Sequence, residues 1–312
     1  MVDVTVIIPA WNAAAFIGHA VSSALRQDGL TTEVLVADDA STDDTPAVLA
    51  AIADPRLRRI YLAKNSGPAA ARNIALAQAA GRWIAVLDAD DALLPGRLHR
   101  LVTAADQTDA DIIADNLWRQ DSDPAARTLM LPEPLDGRLI PLGLADYLHG
   151  NLLFTGNHGY GYLKPLFRAD FLRRHALHYD ETLRIGEDFH LVLDCLALGA
   201  RYLRHASAGY VYTSRPGSIS HRLREPDVRA MIDADLRFMA RFGDHLTPTE
   251  AAAARAHLRS LLDGAAFIRM VDSIKLHHPA ELLGHIVRHP RAVRHFSMPL
   301  RAALARLRTR AA

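Results

Sequence analysis

The sequence predicts an α/β protein: a mostly parallel, Rossmann-like sheet flanked by helices, with a helical C-terminal extension. Three observations carry that expectation. Short β-rich runs alternate with amphipathic helical spacings through the first third of the chain. Each of those runs ends in a polar cluster, and parallel sheets bind ligands beyond the carboxyl ends of their strands. From Pro226 onward the pattern is helical.

Val4-Thr5-Val6-Ile7-Ile8 is a continuous β-branched run, the mark of a strand buried on both faces. Ala14–Arg26 then carries Phe16, Ile17, Val21, Ala24 and Leu25 at helical spacing. Glu33–Val36 reads as a second strand ending at Asp38-Asp39. Asp43 or Asp44 caps a helix to about Ala53, with Pro46 in its first turn. Leu57–Leu62 is a third strand, Pro68–Ala80 a helix closed by Gly81, and Trp83–Leu87 a fourth strand. Asp111–Asn116 is a fifth. Residues 120–143, with four prolines, read as a loop, and the glycine-rich Asn151–Tyr162 as another. A helix from Glu187 to Leu198, a strand over Arg201–Tyr212 and a loop over Ser214–His221 complete the first part.

With 312 residues, half of them hydrophobic, the chain can bury a large core, which excludes wholesale disorder. Charge nearly cancels, at 36 Lys and Arg against 35 Asp and Glu, but it is unevenly placed. Every acid lies at or before Glu281; Arg288, Arg291, Arg294, Arg301, Arg306, Arg308 and Arg310 follow with none. The acidic body argues against nucleic acid as a partner. Cys195 is the only cysteine, which excludes disulfide scaffolds and cysteine-based zinc sites. No apolar run reaches the roughly 18–20 residues of a membrane span, and Met1–Val4 enters the first strand without a leader pattern. The expectation is a cytoplasmic protein.

Four polar segments converge on one sheet edge: Pro9–Asn12, Asp38–Ser41, Lys64-Asn65 and Asp88–Asp91. Asp88 and Asp90 form a D-x-D pair after a strand, which reads either as a solvated turn or as a seat for one divalent cation. Asp39, Asn65 and Arg72 on the same edge offer acceptors for a base and ribose and a cation for a diphosphate.

The motifs VTVIIPAWN (4–12), VLVADDASTDDT (34–45), NSGPAAARN (65–73) and WIAVLDADDALL (83–94) together resemble the family 2 glycosyltransferases of GT-A fold. The resemblance covers roughly residues 3–221, and Gly161–Arg222 is similar to bacterial exopolysaccharide transferases of the succinoglycan type. It implies a GT-A domain over 1–222, with a nucleotide-binding half to about 116 and an acceptor half over about 117–222. The helical extension is then 223–312. It implies that Pro9 and Ala10 line a nucleobase pocket, that Asp39 holds the uracil edge, and that Asn65 assists. Arg72 stands near the diphosphate, Asp88 near ribose or donor sugar, and Asp90 on Mn²⁺ or Mg²⁺. The sequence departs from the family at Trp11, where tyrosine is usual, and at Ala40, where glycine is usual. Ala40 puts the turn after Asp39 in question.

Glu187 and Asp188 open a helix, where acids favour the dipole whatever else they do. The resemblance gives the same pair a second role, with Asp188 as the base that takes an acceptor proton and Glu187 as its neighbour. His221 is either a surface residue or a metal or diphosphate ligand; Lys164 and Arg215 are either diphosphate contacts or ordinary charges. Residues 285–312, basic and interleaved with apolar side chains, read either as a helix lying on anionic membrane or as a lid. The implied activity is inverting, metal-dependent transfer of a hexose from a UDP-hexose such as UDP-glucose to a lipid-linked saccharide. The rivals are a silent nucleotide-sugar-binding or scaffold protein and a sugar-1-phosphate nucleotidyltransferase. The latter calls for a glycine-rich loop that Pro9–Gly18 does not supply.

Overall fold

The computed structural model describes residues 2–120, 126–155, 159–214 and 223–297. The expected alternation is present: β1 Val4–Ala10, α1 Ile17–Leu25, β2 Thr32–Asp38, α2 Thr45–Ala50, β3 Leu57–Tyr61, α3 Pro68–Ala77 and β4 Trp83–Val86. These four strands pair in parallel in the order β3-β2-β1-β4. β1, β2 and β4 consist almost wholly of buried residues, which is why their sequences run apolar without alternation.

Beyond β4 the sheet becomes mixed. β5 Ala92–Leu93, α4 Arg97–Thr108, β6 Ile112–Gln120, β7 Arg127–Leu129, β8 Leu139–Pro141 and α5 Leu144–His149 follow. Then come β9 Leu166–Arg168, α6 Ala169–Arg174, α7 Glu187–Ala197 and β10 Tyr202–Thr213. β9 lies between β4 and β6 and is antiparallel to both, and β10 returns parallel to β6. The expected loop over 120–143 contains β7 and β8, which extend the sheet on β6 and β10.

Gly81 does not close a helix. α3 ends at Ala77 with Gln78 at its cap, and Gly81 instead packs against β1. A Cβ there would lie 2.4 Å from the Thr5 nitrogen and 2.9 Å from the Trp83 oxygen, so only glycine allows this approach. The helix after β2 is also shorter than expected, ending at Ala50. Cys195 is buried in α7, and burial pushes its thiol pKa well up, as suits a core residue.

The chain divides into two compact units, one of residues 1–147 with 160–221 and one of 148–159 with 222–312. Segment 148–159, read from sequence as part of the acceptor half, belongs to the second unit. That unit is built on α8 Glu225–Phe242, α9 Pro248–Lys275 and α10 Pro279–Arg288. α9 begins with a capping box: the Thr247 hydroxyl accepts from the Glu250 amide at 3.3 Å, and Glu250 accepts from the Thr247 amide at 2.9 Å. A buried His257–Asp235 contact of 2.7 Å ties α9 to α8. Leu282, Ile286, Ala292 and Phe296 pack against Ala266, Phe267 and Met270 of α9. Leu283, Val287 and Val293 remain exposed. No helix among the described residues is long and apolar enough to cross a membrane.

Candidate active site

Parallel pairing of β1 with β2 and β4 puts three carboxyl ends on one edge, and the loops that leave them are fastened to one another. The Asn12 amide donates to the Ser41 hydroxyl at 2.9 Å, and Asn12 Oδ1 accepts from the Thr42 amide at 2.8 Å. Asp43 accepts from the Ala14 amide and from both the amide and hydroxyl of Thr45. Burial alone would raise the Asp43 pKa, and these hydrogen bonds together outweigh it, leaving the group below the ordinary carboxylate value. Pro9 is half-buried and Ala10 buried at the end of β1, beside Trp11, which is 52% exposed.

Asp39 is buried and holds the loop before α3. Its two carboxylate oxygens accept from the Ser66 and Gly67 amides at 2.7 and 2.8 Å. The exposed Asn65 donates to the Asp39 carbonyl at 3.3 Å. Ala40 keeps the turn that glycine would make easily by adopting φ +56°. A left-handed alanine costs about 1–2 kcal/mol, part of which glycine's greater unfolded-state freedom cancels. Ala40→Gly therefore leaves stability unchanged or raises it by up to about 1 kcal/mol, whereas the β-branch in Ala40→Val costs about 1–3 kcal/mol more than alanine. Urea melts of the two variants check the pair; equal stability would mean that the turn is not left-handed in solution.

Five charged side chains meet between α3, the turn after β4, the segment before β9, and the start of α7. Arg72, with its side chain 4% exposed, donates to Glu187 Oε1 and Asp88 Oδ1, each at 2.6 Å, and lies 3.9 Å from Asp188. Lys164 Nζ donates to Asp188 Oδ2 at 2.6 Å and lies 2.9 Å from Asp88 Oδ2. Two cations thus face three carboxylates.

Burial alone would raise the Asp88 pKa, but Lys164 and Arg72 outweigh it and hold the group far below the ordinary range. Burial would lower that of Lys164, yet Asp188 and Asp88 hold it well above the ordinary lysine value. Glu187 is different. Burial raises its pKa, and the pull of Arg72 does not fully offset that.

Local sequence explains why these groups meet. Gly186, at φ +89°, makes the left-handed turn that starts α7, so Glu187 and Asp188 occupy its first turn. Phe189 stacks on Tyr147 with centroids 5.1 Å apart and anchors the helix. Asn73 fixes α3 to the segment leading there, exchanging hydrogen bonds of 2.9 and 2.8 Å with the backbone of Tyr179. The Tyr179 ring lies under the Arg72 guanidinium at 5.5 Å.

Of the residues singled out from sequence, Arg72, Asp88, Lys164, Glu187 and Asp188 form this cluster. Asp39 and Asn65 sit beside one another, and Pro9 and Ala10 end the neighbouring strand. Arg72 directs its guanidinium at protein carboxylates, and Lys164 bridges the two acids whose roles the sequence separated. Arg215 and His221 lie outside the described residues.

Two supports were not read from sequence. Asp91, buried, accepts from the Tyr210 hydroxyl at 2.6 Å and from the Thr213 amide at 2.8 Å, while Tyr210 also accepts from the Asp88 amide at 3.1 Å. Burial, with Asp88 and Asp90 nearby, pushes the Asp91 pKa well up. Arg97 and Asp115, both wholly buried, pair at 2.8 Å, and Arg97 also donates to the Lys164 carbonyl at 2.6 Å. The third acid of DADD was the available signal for the first; the second needs the fold.

The family model for glycosyl transferase family 2 matches residues 5–171. The chain belongs to that family, and it is a glycosyltransferase. The transferase is 43% identical over 99% of its length, and 88% of the other's, to the succinoglycan biosynthesis protein ExoO of Rhizobium meliloti strain 1021. Over 32% of its length it is 37% identical to 40% of Escherichia coli WfgD, a UDP-Glc:α-D-GlcNAc-diphosphoundecaprenol β-1,3-glucosyltransferase. Among solved structures it resembles Staphylococcus aureus TarS 1–349 in complex with UDP-GlcNAc. The TM-score is 0.65 at 20% identity, covering 93% of the transferase and 81% of that chain, a likeness of fold.

For a metal, the donor set is sparse. Among the described residues no group of three or more His, Cys, Asp or Glu side chains is arranged to hold an ion. Asp88 has both oxygens engaged by cations, and Asp90, half-buried in the same turn, is the second carboxylate of that pair. One carboxylate is the donor set of an ion of the Mg²⁺ type that arrives with substrate phosphates and keeps part of its water. The residues present fit such an ion.

Proposed function

We propose that the transferase moves a hexose from a UDP-hexose, UDP-glucose or a close relative, to a lipid-linked saccharide in cell-surface polysaccharide synthesis, with inversion and with Mn²⁺ or Mg²⁺. The observation that carries this reading is the position of Asp188, on the first turn of α7 and linked through Lys164 to the D-x-D turn. The names of ExoO and WfgD support the polysaccharide pathway, the donor and the acceptor class.

In this reading Pro9, Ala10 and the exposed Trp11 ring border the base. Asp39, whose carboxylate fixes the Ser66-Gly67 loop, would hold the uracil edge. Asp90 and His221 would hold the metal, which when bound supplies a counter-charge to the departing diphosphate. Asp88 would face the ribose or donor sugar. Asp188 takes the proton of the acceptor hydroxyl as its oxygen attacks the anomeric carbon, the nucleoside diphosphate leaves, and a single displacement inverts that carbon. Lys164 donates to Asp188 before acceptor arrives, so the acceptor hydroxyl takes over a hydrogen-bonding position on a carboxylate already oriented. Glu187 holds Arg72, and Arg72 holds Asp88 in register with Asp188. Arg215 would add a diphosphate contact. Residues 285–312 would rest on anionic membrane, bringing the enzyme to a lipid-borne acceptor.

Thermal shifts with UDP-, GDP- and dTDP-sugars, with and without Mn²⁺, test the donor, since a ligand of the native state raises Tm by mass action. Asp90→Ala should lose most activity and should bind donor more weakly in Mn²⁺ or Mg²⁺, but not in EDTA, as titration calorimetry would show. Full activity in excess EDTA, with metal verified absent, would reject the metal-dependent mechanism.

A further inference from the structure

The geometry points to a binding site for the phosphate of an anionic lipid in the second unit, in a cavity of about 810 Å³ rimmed by Arg259, Arg291 and Arg294. The cavity is bounded by α9, by the 3₁₀ turn Pro290–Phe296 and by residues 152–155, all of that unit. Its volume falls in the range of small-molecule pockets.

Charge and shape together argue for the occupant. Asp263 is the single acid among the described residues of the lining, and Arg294 engages it at 3.2 Å. Arg259 and Arg291 are exposed and make no hydrogen bond or ion pair with the described residues, so two guanidiniums face the cavity uncompensated. Leu152, Leu153 and Phe154 give the same cavity an apolar wall. His295 also lines it, is 6% exposed, and has a buried Nε2 without a protein partner. Its pKa is lowered by burial and then by Arg294, which disfavours a charge on the ring.

A guanidinium rim suits phosphate oxygens, which arginine grips with paired N–H donors. The apolar wall suits the chain that a lipid phosphate carries and a free ion lacks. Leu262, one turn along α9 from Arg259, is exposed, as are Leu283, Val287 and Val293 of the segment after α9. Exposed apolar side chains of this kind suit the headgroup region of a bilayer.

Flotation of the full chain with phosphatidylcholine vesicles, with and without one-fifth phosphatidylglycerol, tests the assignment. Arg259→Gln with Arg291→Gln should weaken binding to the anionic vesicles by about tenfold or more, at about 1 kcal/mol for each charge at the surface. Arg237→Gln with Arg255→Gln removes the same charge from exposed positions outside both the cavity lining and residues 285–312, and should weaken binding by less than about threefold, an effect of field alone. Ala256→Phe narrows the cavity without altering charge and should also weaken binding, with melting curves confirming that each variant is folded. Equal losses in the two arginine pairs would overturn the site in favour of diffuse attraction. A Tm rise with inorganic pyrophosphate that Arg259→Gln/Arg291→Gln abolishes, alongside unchanged vesicle binding in every variant, would overturn the lipid in favour of a free anion. Failure of the wild type to float would overturn it outright. No nucleotide sugar enters these measurements, so their outcome is independent of the transfer reaction.

Discussion

Asp188→Asn is expected to lower turnover by on the order of 10²–10⁴-fold while leaving UDP affinity close to wild type. The substitution preserves shape and removes only the capacity to take a proton. Lys164 still has the amide oxygen to donate to at position 188 and Asp88 at 2.9 Å, so the cluster keeps its geometry. The loss should therefore fall on kcat, with the donor KM nearly unchanged, because an interaction that strengthens only in the transition state contributes nothing to ground-state binding. Initial rates of UDP release with acceptor present, beside calorimetric UDP binding, separate the two terms. Glu187→Gln serves as the internal comparison. Glu187 gives one oxygen to Arg72 at 2.6 Å, and burial already biases it toward the neutral form. Its variant should lose far less turnover than Asp188→Asn. Wild-type turnover in Asp188→Asn together with abolition in Glu187→Gln would move the base to the other carboxylate.

The first four strands were legible because strands buried on both faces write continuous apolar runs, and the carboxyl-edge motifs follow them directly. What followed was harder for physical reasons. β5 and β9 have two and three residues and α5 and α6 have six, too few to establish a period of 2 or 3.6. Gly81 imitated a helix cap because the two uses of glycine, a left-handed turn and a close approach, leave the same letter. In the site, each member of the five-charge cluster was singled out, but their pairing was not. Lys164 and Asp188 lie 24 positions apart and Arg72 and Glu187 115 apart, and nothing in local pattern joins them. Asn73 ends the motif NSGPAAARN, and its partner, the backbone of Tyr179, lies 106 positions away. The cluster also changes the meaning of Arg72. Sequence alone offers a cation to a diphosphate; the fold has it neutralising carboxylates that would otherwise repel one another.

That change of meaning makes Arg72→Met the most damaging single substitution to expect for stability. Methionine retains much of the volume and removes the charge, so Asp88, Glu187 and Asp188 are left with Lys164 alone. Deleting one partner of a buried ion pair costs about 3–5 kcal/mol, because the remaining charges are neither solvated nor compensated. Against a total of about 5–15 kcal/mol for a domain, that is a large fraction. The effect should depend on pH in a defined sense. Without Arg72, burial governs Glu187 and raises its native pKa further above the unfolded value. The native state then binds a proton that the unfolded state has released, so stability falls as pH rises from the unfolded pKa to the native one. The wild type has the opposite contribution from Asp88, whose lowered native pKa stabilises the fold above the unfolded value and is lost only as pH falls below it. Arg72→Met should accordingly be closer to wild type at pH 5 than at pH 8 in urea melts followed on the first unit. Adding Glu187→Gln to Arg72→Met removes the acid with the greatest desolvation burden and should recover part of the loss at pH 8, a coupling that a double-mutant cycle reads directly. Arg72→Lys keeps the charge but cannot reach Asp88 and Glu187 together through two nitrogens, and should fall between wild type and methionine. A loss below about 1 kcal/mol in Arg72→Met at both pH values would mean that Lys164 and solvent suffice to hold the three acids, and that the guanidinium does not organise the site.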